Sequence, residues 1–559
     1  MSIKLPLGMD RFKEIIENQF YYVDKTEFIR ELLGCQFKVS LITRPRRFGK
    51  TLTMSMLDDF FDCAVDSRSR FAGLKVSGDA AFCAQWQNQW PVIFLTLKEI
   101  EANEYQTALG RLRILIATVC KQYAFLEHSS SVEPDDVRVF RQLKAQTADT
   151  ENLTNSLLIL TRMMHAHYGK QAILLIDEYD VPLARASEAG YYREMLDVIR
   201  ALLGSALKKN PHLKFAVMTG CLRVAKESIF TGLNNLVTDT ISSGRFNEPI
   251  GFTQAEVDRL LSDTALNAHR EEIRAWYDGY RFGKSEVYCP WDVLNYVSVL
   301  QMDPGRAPEN YWGNTSHNGI IYRFIDRRDL DVNDKFETLL AGGYIVERIS
   351  DQQTYDTLKS SEENLWSLLY MTGYLTSVSP DALREEPEPG KTALRIPNEE
   401  VRSIFKTAIV EWFNEEMKES DRGALFEAFW SGDAARVEEQ LSDLLFDTIS
   451  YHDYKESFYH AFLAGIFTGS GYAVASNDEA GLGRQDLTVK DRAHRRALVI
   501  EVKHAQTEEE LPKKCEEACL QIQEKQYLSG IDKGFRQRTG YGIAFYGKEC
   551  RVRLYKPNL

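Results

Sequence analysis

The sequence predicts an α/β protein with a parallel sheet in its N-terminal part, a mainly helical middle region and a second α/β domain at the C-terminus. Three observations support this. An alternating apolar segment leads into residues 44–51, RPRRFGKT, and a helical pattern follows. A continuous apolar run at 172–176 is typical of a strand buried on both faces of a parallel sheet. Near the C-terminus, apolar segments at 483–489 and 497–503 flank a polar turn, which indicates a hairpin. We expect three domains: a P-loop ATPase domain at residues 1–250, a helical lid or winged-helix-like region at 251–440, and the second α/β domain at 441–559.

The segment 44–51 has the residues needed to bind a nucleoside triphosphate, so ATP or GTP is the expected ligand, with Mg²⁺. Backbone N–H groups of such a turn converge on phosphate oxygens, the Lys50 ammonium reaches the β and γ phosphates, and the Thr51 hydroxyl ligates Mg²⁺. The generic motif opens with a glycine where this chain has Arg44, so the turn must be built differently. The residues expected to contact the nucleotide here are Arg47, Phe48, Gly49, Lys50, Thr51 and Leu52.

The buried run at 172–176 ends in Asp177 and Glu178, a pattern that resembles a Walker B segment. Asp177 is then a Mg²⁺ ligand, and Glu178 polarises the water that attacks the γ-phosphate. The alternative is an ordinary buried strand with acids at its surface end, and the presence of Lys50 favours the functional interpretation.

A third apolar strand ends at Thr219, which resembles the γ-phosphate-sensing residue of AAA+ and STAND ATPases. Arg223 and Arg245 follow near the expected carboxyl edge of the sheet, where ligands of open α/β folds bind. Either arginine contacts a phosphate or forms a structural ion pair.

Composition and net charge argue against a membrane protein, a secreted protein and a protein that coats nucleic acid. The chain has 559 residues with 44% apolar residues, which is enough for several well-filled cores. It contains no apolar stretch of membrane-spanning length and no signal-peptide core, so a cytoplasmic protein without a membrane partner is expected. The net charge of −13 argues against indiscriminate coating of nucleic acid. A basic cluster at 490–496 is either a local nucleic-acid site or a solvated face.

Asp486, Glu501 and Lys503 form the second candidate site. Because side chains alternate along a strand, Glu501 and Lys503 share one face, and Asp486 approaches them across the hairpin. Two carboxylates on rigid strands suit Mg²⁺, which activates a water beside a phosphodiester, and Lys503 orients that water. The alternative is an exposed Glu–Lys ion pair without function.

This arrangement resembles the PD-(D/E)XK nuclease superfamily. The resemblance implies that Glu456, on a preceding helix, adds an acid to the metal site. It also implies that Gln521 or Gln523, on a following helix, lies near the scissile phosphate. Mn²⁺ is then an alternative to Mg²⁺ at this site.

Together, the two ends resemble a bacterial and archaeal family that joins an AAA-ATPase-like domain (P-loop, AAA+/STAND-like) to a C-terminal PD-(D/E)XK domain with a restriction-endonuclease-like fold. The matching segments are 21–26, 44–51, 175–180, 219–220, 228–230, 232–235, 276–280 and 311–315. In that family an arginine at the place of Arg44 is usual. The resemblance implies an ATP-driven switch whose output is a nuclease acting on nucleic acid, with DNA expected. The alternative is an ATP-gated binding or signalling scaffold that does not cut. The chain either forms a homo-oligomer, with an arginine reaching a neighbour's nucleotide, or acts as a monomer.

Overall fold

The computed structural model describes residues 3–222, 235–313, 333–350, 362–383, 385–416, 423–448, 456–476, 479–480, 483–484, 486–532 and 534–555. The chain divides into two compact units. The first comprises Met1–Asn314 and Val346–Glu400, and the second comprises Thr315–Ile345 and Val401–Leu559. Among the described residues, no helix combines the length and apolar character that spanning a bilayer requires.

A five-stranded parallel sheet is the centre of the first unit, as the sequence predicted. Its strands are β1 Val39–Thr43, β2 Val92–Thr96, β3 Ala172–Asp177, β4 Leu213–Gly220 and β5 Leu236–Asp239, in the order β2-β3-β4-β1-β5. Every residue of β1 and β3 is buried, because helices cover both faces of the sheet. The order places the carboxyl ends of β1, β4 and β3 side by side.

The helices between Tyr105 and Leu207 have apolar faces that pack in the core of this sheet. The α-helices up to residue 207 are Phe12–Glu17, Glu27–Gly34, Lys50–Phe61, Arg68–Phe71, Ala80–Trp86, Tyr105–Gln122, Pro134–Lys144, Thr150–Thr154, Ser156–Tyr168, Val181–Ala189 and Tyr192–Leu207.

The middle of the chain is mainly helical, with two small sheets. A capping box begins its first helix: Thr253 accepts from the N–H of Glu256, and the Glu256 carboxylate accepts from the N–H of Thr253. The helices are Gln254–Asp263, Arg270–Tyr277, Pro290–Met302, Asn333–Leu340, Glu362–Thr372 and Glu399–Glu416. Strands β6 Tyr280–Phe282 and β7 Ser285–Val287 form one sheet, and β8 Ile345–Arg348, β9 Thr376–Ser377 and β10 Lys391–Arg395 form another in the order β8-β10-β9.

The second unit is built on a mixed sheet in the order β11-β14-β15-β16-β17, which confirms the expected C-terminal α/β domain. Strands β15 and β16 are parallel, and the other neighbours are antiparallel. The strands are β11 Ala473–Ser476, β12 Glu479–Ala480, β13 Gly483–Arg484, β14 Leu487–Asp491, β15 Arg496–His504, β16 Gln537–Tyr546 and β17 Glu549–Tyr555. The helices are Gly423–Ser431, Ala434–Thr448, Glu456–Gly469 and Leu511–Glu524.

Helices cover both faces of this sheet. On one face, helix Leu511–Glu524 lies so close that a Cβ on Gly542 would be 2.7 Å from the Cys519 sulfur, which only glycine avoids. On the other face, the ring of Tyr459 stacks on that of Phe545 with centroids 4.3 Å apart. Strand β15 is therefore buried along most of its length.

Candidate active sites

The predicted phosphate-binding loop connects β1 to helix Lys50–Phe61. Gly49 has φ of 92°, a conformation that glycine adopts without a steric penalty, and it directly precedes the first helical residue. Lys50 and Thr51 therefore begin the helix, where free backbone N–H groups attract an anion.

Arg44, at the place of the generic first glycine, is a buried structural residue. Its guanidinium donates to four backbone carbonyls, those of Thr43, Asp239, Arg245 and Phe246, at 2.7–3.2 Å. It also lies over the ring of Phe282 at 5.1 Å. Burial lowers the pKa of Arg44 to about 10. The side chain thus ties the loop to the segment after β5, which explains how the turn is built without that glycine.

Lys50 is 3% exposed, and its ammonium folds back onto the loop. It donates to the carbonyls of Arg44 at 3.1 Å and Pro45 at 3.0 Å, and lies 3.4 Å from a Glu178 carboxylate oxygen. Although burial opposes the charge, Cys221, Glu178 and Asp177 together raise the pKa of Lys50 above its usual value. The ammonium is therefore charged, and it is bonded to two carbonyls and one carboxylate.

Asp177 lies at the end of β3 between hydroxyl groups from two neighbouring elements. Thr51 Oγ1 donates to one carboxylate oxygen at 2.8 Å, and Thr219 Oγ1 donates to the other at 2.5 Å. Burial raises the pKa of Asp177. The structure thus brings together Thr51, Asp177 and Thr219, which the sequence placed on three separate segments.

Glu178 follows Asp177 with a positive φ of 53° and points its carboxylate at Lys50. Its backbone N–H donates to Thr219 Oγ1 at 3.4 Å. Glu178, the acid expected to polarise water, thus lies beside Lys50 and forms an ion pair with it.

The other residues predicted to contact the nucleotide are Arg47, Phe48 and Leu52, and the side chains of Arg47 and Phe48 pack on aromatic rings. The Arg47 guanidinium stacks on Trp291 at 4.3 Å, and the ring of Phe48 is buried between Tyr280 and Phe282. Phe48 therefore has only its backbone to offer a ligand. Leu52 is half-buried in the first turn of the helix.

Two arginines were candidates for phosphate contact. Arg245 forms an ion pair with the buried Asp239 at 2.9 Å, which agrees with the structural alternative. Arg223 lies outside the described residues, as do the family-like positions 228–230 and 232–234.

Sequence reasoning missed Asp180, whose carboxylate lies close enough to Glu178 and Lys50 to feel the charge of both. Its carboxylate is buried and accepts from the N–H groups of Cys221 at 3.0 Å and Leu222 at 2.8 Å. Burial and the charge of Glu178 raise the pKa of Asp180 to about 6. Its position three residues after Asp177 was the available signal, but its partners come from a distant segment.

In the second unit, Asp486 and Glu501 face each other across the β14–β15 hairpin. The register pairs Leu487 with Ile500, so Asp486, one residue before β14, lies opposite Glu501. The Asp486 carboxylate accepts from the N–H of Val502 at 2.9 Å, and the Asp486 N–H lies 3.4 Å from a Glu501 carboxylate oxygen. The Lys503 ammonium is 3.3 Å from the other oxygen of Glu501. The predicted cluster is therefore assembled.

The Glu501 side chain is fully buried, with 0% of it exposed. Helix Leu511–Glu524 covers its face of the sheet. Burial and the charge of Asp486 raise the pKa of Glu501 to about 7, and Lys503 lowers it only in part. The site therefore contains two carboxylates that repel each other.

The flanking helices provide further groups. His460, on helix Glu456–Gly469, donates from Nε2 to the Asp486 carbonyl at 2.7 Å, a contact that the sequence did not reveal. Glu456 begins that helix, and its side chain lies outside the described residues. Gln521 lies 3.4 Å from the Tyr527 hydroxyl, whereas Gln523 is exposed. In the basic cluster, Arg496 forms an ion pair with Asp491 at 2.8 Å and stacks on Trp430, which is a structural role.

The donor set at the hairpin fits a hard divalent cation. Asp486 and Glu501 would supply two oxygen ligands, and the repulsion that raises the pKa of Glu501 would be relieved by a 2+ charge. Within the part of the chain that the structure describes, no group of three His, Cys, Asp or Glu side chains is arranged to hold a metal. The remaining ligands would therefore be waters and substrate oxygens, as is common for Mg²⁺.

Comparison with known proteins agrees with the two α/β domains. Residues 6–230 match the family described as predicted AAA-ATPase, and residues 454–554 match the PD-(D/E)XK nuclease superfamily. The chain is 26% identical over 502 residues, 88% of each chain, to an uncharacterized protein in the vnfD 5′ region of Azotobacter chroococcum mcd 1. The chain thus combines an AAA-ATPase-like domain with a PD-(D/E)XK nuclease superfamily domain.

Proposed function

We propose that this protein is an ATP-hydrolysing switch coupled to a Mg²⁺-dependent nuclease that acts on DNA in the cytoplasm. The observation that supports it most is the pair of acidic centres, one at the carboxyl ends of the parallel strands and one on the β14–β15 hairpin, each beside a lysine. One contains Lys50, Thr51 and Asp177, and the other contains Asp486, Glu501 and Lys503.

At the first site, the charges and donors match the needs of ATP hydrolysis. Lys50 and the helix N-terminus bind the phosphates, and Thr51 and Asp177 would hold Mg²⁺. Nucleotide phosphates compete with Glu178 for the Lys50 ammonium, because both are anions at the same cation. Binding therefore frees Glu178 to orient the attacking water, and Thr219 positions Asp177 and Glu178 relative to each other.

At the second site, Asp486 and Glu501 would hold Mg²⁺ or Mn²⁺, which when bound neutralises charge on the phosphodiester and activates water. Lys503 keeps Glu501 partly ionised and lies where it can donate to a water or phosphate oxygen. His460 fixes the Asp486 backbone through its carbonyl, and Glu456 and Gln521 are the additional groups proposed at this site.

The deciding experiment is plasmid cleavage by the full-length protein with Mg²⁺, Mn²⁺ or EDTA, in wild type and Asp486→Ala. We expect cleavage with metal in the wild type and none in the variant. Equal cleavage by both would remove the nuclease assignment. Lys50→Ala tests the first site, since it should abolish ATP binding and, if the sites are coupled, change the cleavage rate.

The second candidate is an ATP-gated scaffold that binds nucleic acid without cutting it. The observation in its favour is the full burial of Glu501 beside Lys503, which also suits a structural ion pair. It predicts DNA binding that Asp486→Ala leaves intact and no cleavage under any metal. DNA and RNA substrates, offered in single- and double-stranded form, define the substrate.

A further inference from the structure

Two consecutive residues in the turn after β3 hold the segment that leaves β4. The Asp180 carboxylate is 2% exposed, and its Oδ2 accepts from the N–H groups of both Cys221, at 3.0 Å, and Leu222, at 2.8 Å. The hydroxyl of the buried Tyr179 donates to the Leu222 carbonyl at 2.7 Å. These three hydrogen bonds, which we call the Asp180 clamp, fix the backbone of Cys221 and Leu222 to the turn after β3.

Gly220, the last residue of β4, makes room for the clamp. A Cβ at this position would lie 2.6 Å from Asp180 Oδ1 and 2.7 Å from the Tyr179 ring, which is closer than side chains approach. The Gly220 carbonyl also accepts from the N–H of Arg44 at 3.1 Å. The end of β4 is therefore attached on one side to the turn after β3 and on the other to the phosphate-binding loop.

Glu178, in the same turn, has a backbone conformation that needs support. Its φ of 53° lies in the left-handed region, which is unfavourable for a residue with a Cβ. Such a conformation persists only where surrounding contacts fix it. Here Thr219 provides two of them, because its Oγ1 lies 3.4 Å from the Glu178 N–H nitrogen and its carbonyl accepts from the N–H of Tyr179 at 3.0 Å. The Asp180 clamp continues this row of bonds to Leu222.

The two segments that the clamp joins meet again at Lys50. The Glu178 carboxylate lies 3.4 Å from the Lys50 ammonium, and the Cys221 thiol lies 3.6 Å from the same group. Glu178 comes from the turn after β3 and Cys221 from the segment after β4. A displacement of one segment relative to the other would therefore change how Glu178 faces Lys50.

We propose that Asp180 is a positioning residue for ATP hydrolysis, which holds Cys221 and Leu222 and thereby keeps Glu178 in its left-handed turn, directed at the attacking water. The inference rests on the proposed ATPase function. Asp180 acts through an acceptor oxygen, since Oδ2 makes both bonds to the backbone, while Oδ1 makes none among the described residues. An amide oxygen can therefore replace the carboxylate, whereas a methyl group cannot.

The test measures steady-state ATP hydrolysis by the full-length protein at pH 8, where Asp180 is ionised because its pKa is raised only to about 6. Asp180→Ala should lower kcat about tenfold, since misplacing a reacting group by about 1 Å costs up to about 10²-fold. Asp180→Asn keeps the acceptor oxygen and should stay within about threefold of the wild type. Asp149→Ala, which removes a carboxylate from the N–H of Asn152 outside the site, is the matched control and should hydrolyse ATP normally.

Two further measurements separate positioning from general damage to the site. The affinity of Asp180→Ala for a fluorescent ATP analogue should stay within about twofold of the wild type, because Lys50 and the helix N-terminus still bind the phosphates. In a Glu178→Gln background, Asp180→Ala should lower the single-turnover rate by less than about twofold, since both changes act on one group. An unchanged kcat in Asp180→Ala, an equal loss in Asp180→Asn, an equal loss of affinity, or a full further loss in the double variant would each overturn the inference.

Tyr179→Phe, which removes only the hydroxyl bond to Leu222, is the second variant if Asp180→Ala does not fold, and its kcat should fall with affinity retained. If the wild type hydrolyses no ATP, the proposed function fails instead. Amide hydrogen exchange then decides the inference: protection of the Glu178 and Tyr179 N–H groups should fall in Asp180→Ala and persist in Asp180→Asn. Wild-type protection in Asp180→Ala would show that the clamp does not hold this turn.

Discussion

In the first unit the carboxylate of Asp177 lies between two hydroxyl donors, whereas in the second unit that of Glu501 lies between another carboxylate and one ammonium. The first arrangement satisfies its acid with protein groups. The second leaves negative charge in excess, and burial together with the charge of Asp486 raises the pKa of Glu501 to about 7. The comparison teaches that the carboxylate of Asp177 is held by protein donors, while that of Glu501 keeps a charge repulsion that a bound cation would relieve.

The largest expected effect is at the second site, where Lys503 is the sole ammonium bonded to Glu501 among the described residues. Lys503→Ala should lower the initial rate of Mg²⁺-dependent plasmid cleavage by about 10²–10³-fold, as for the loss of one transition-state donor. Lys514→Ala, which removes a surface lysine paired with Glu517 on the adjacent helix, is the control and should cleave normally. Wild-type rates in Lys503→Ala would place the chemistry elsewhere.

Arg44→Gly makes the loop match the generic motif but removes the buried guanidinium that holds it. Four carbonyl acceptors lose their donor, so we expect a loss of about 3 kcal/mol in the free energy of unfolding. ATP affinity should fall as well, because the loop is no longer tied to the segment after β5. Urea denaturation and ATP titration measure both effects. A variant of unchanged stability and affinity would show that the loop geometry does not depend on this residue.

A smaller effect is expected at Thr219, which supplies one of the two hydroxyl donors to Asp177. Thr219→Val should slow ATP hydrolysis by about tenfold, corresponding to about 1.4 kcal/mol, since it removes one hydrogen bond to a charged group. Thr96→Val is the matched control, because the Thr96 hydroxyl is 3.4 Å from the same carboxylate and bonds it weakly. Steady-state ATPase rates compare the two. A larger loss in Thr96→Val would reverse the assignment.

Asp58 lies outside both centres, and its pKa is also raised by burial. Burial and the charges of Asp62 and Asp59 raise its pKa to about 7. The protonated Asp58 carboxyl therefore contributes fully to the free energy of unfolding below about pH 4, and this contribution is lost as pH rises through about 7. Asp58→Asn should be more stable than wild type by about 1–2 kcal/mol at pH 8.5. The gain should be smaller at pH 5 and vanish only below about pH 4, where the carboxyl is protonated in both the folded and the unfolded state. Urea midpoints at both pH values measure it, and an equal gain at both would exclude the titration.

Local patterns predicted the elements around both sites because each depends on residues close in sequence. The alternation at 497–503 placed Glu501 and Lys503 on one face, and the hairpin brought Asp486 opposite Glu501. Thr253 and Glu256, three residues apart, form the capping box that begins helix Gln254–Asp263. The strand predicted before residues 44–51 forms as β1, Val39–Thr43.

Contacts between distant segments were beyond these patterns. Three of the four carbonyls that Arg44 binds lie about 200 residues away, and Glu400 accepts from the N–H groups of Tyr311 and Trp312, 89 and 88 positions earlier. The burial of Glu501 also depends on a helix that follows it by several residues and closes over Gly542.

The sequence by itself determined which residues bear the chemistry and on which strand or helix they lie, because periodicity and turn residues act over a few positions. Only the tertiary structure decided how those residues are charged and held. Burial and neighbouring charge depend on which segments the sheets bring together. They place the Arg44 guanidinium on a distant carbonyl, pair Glu178 with Lys50, and raise the pKa of Glu501.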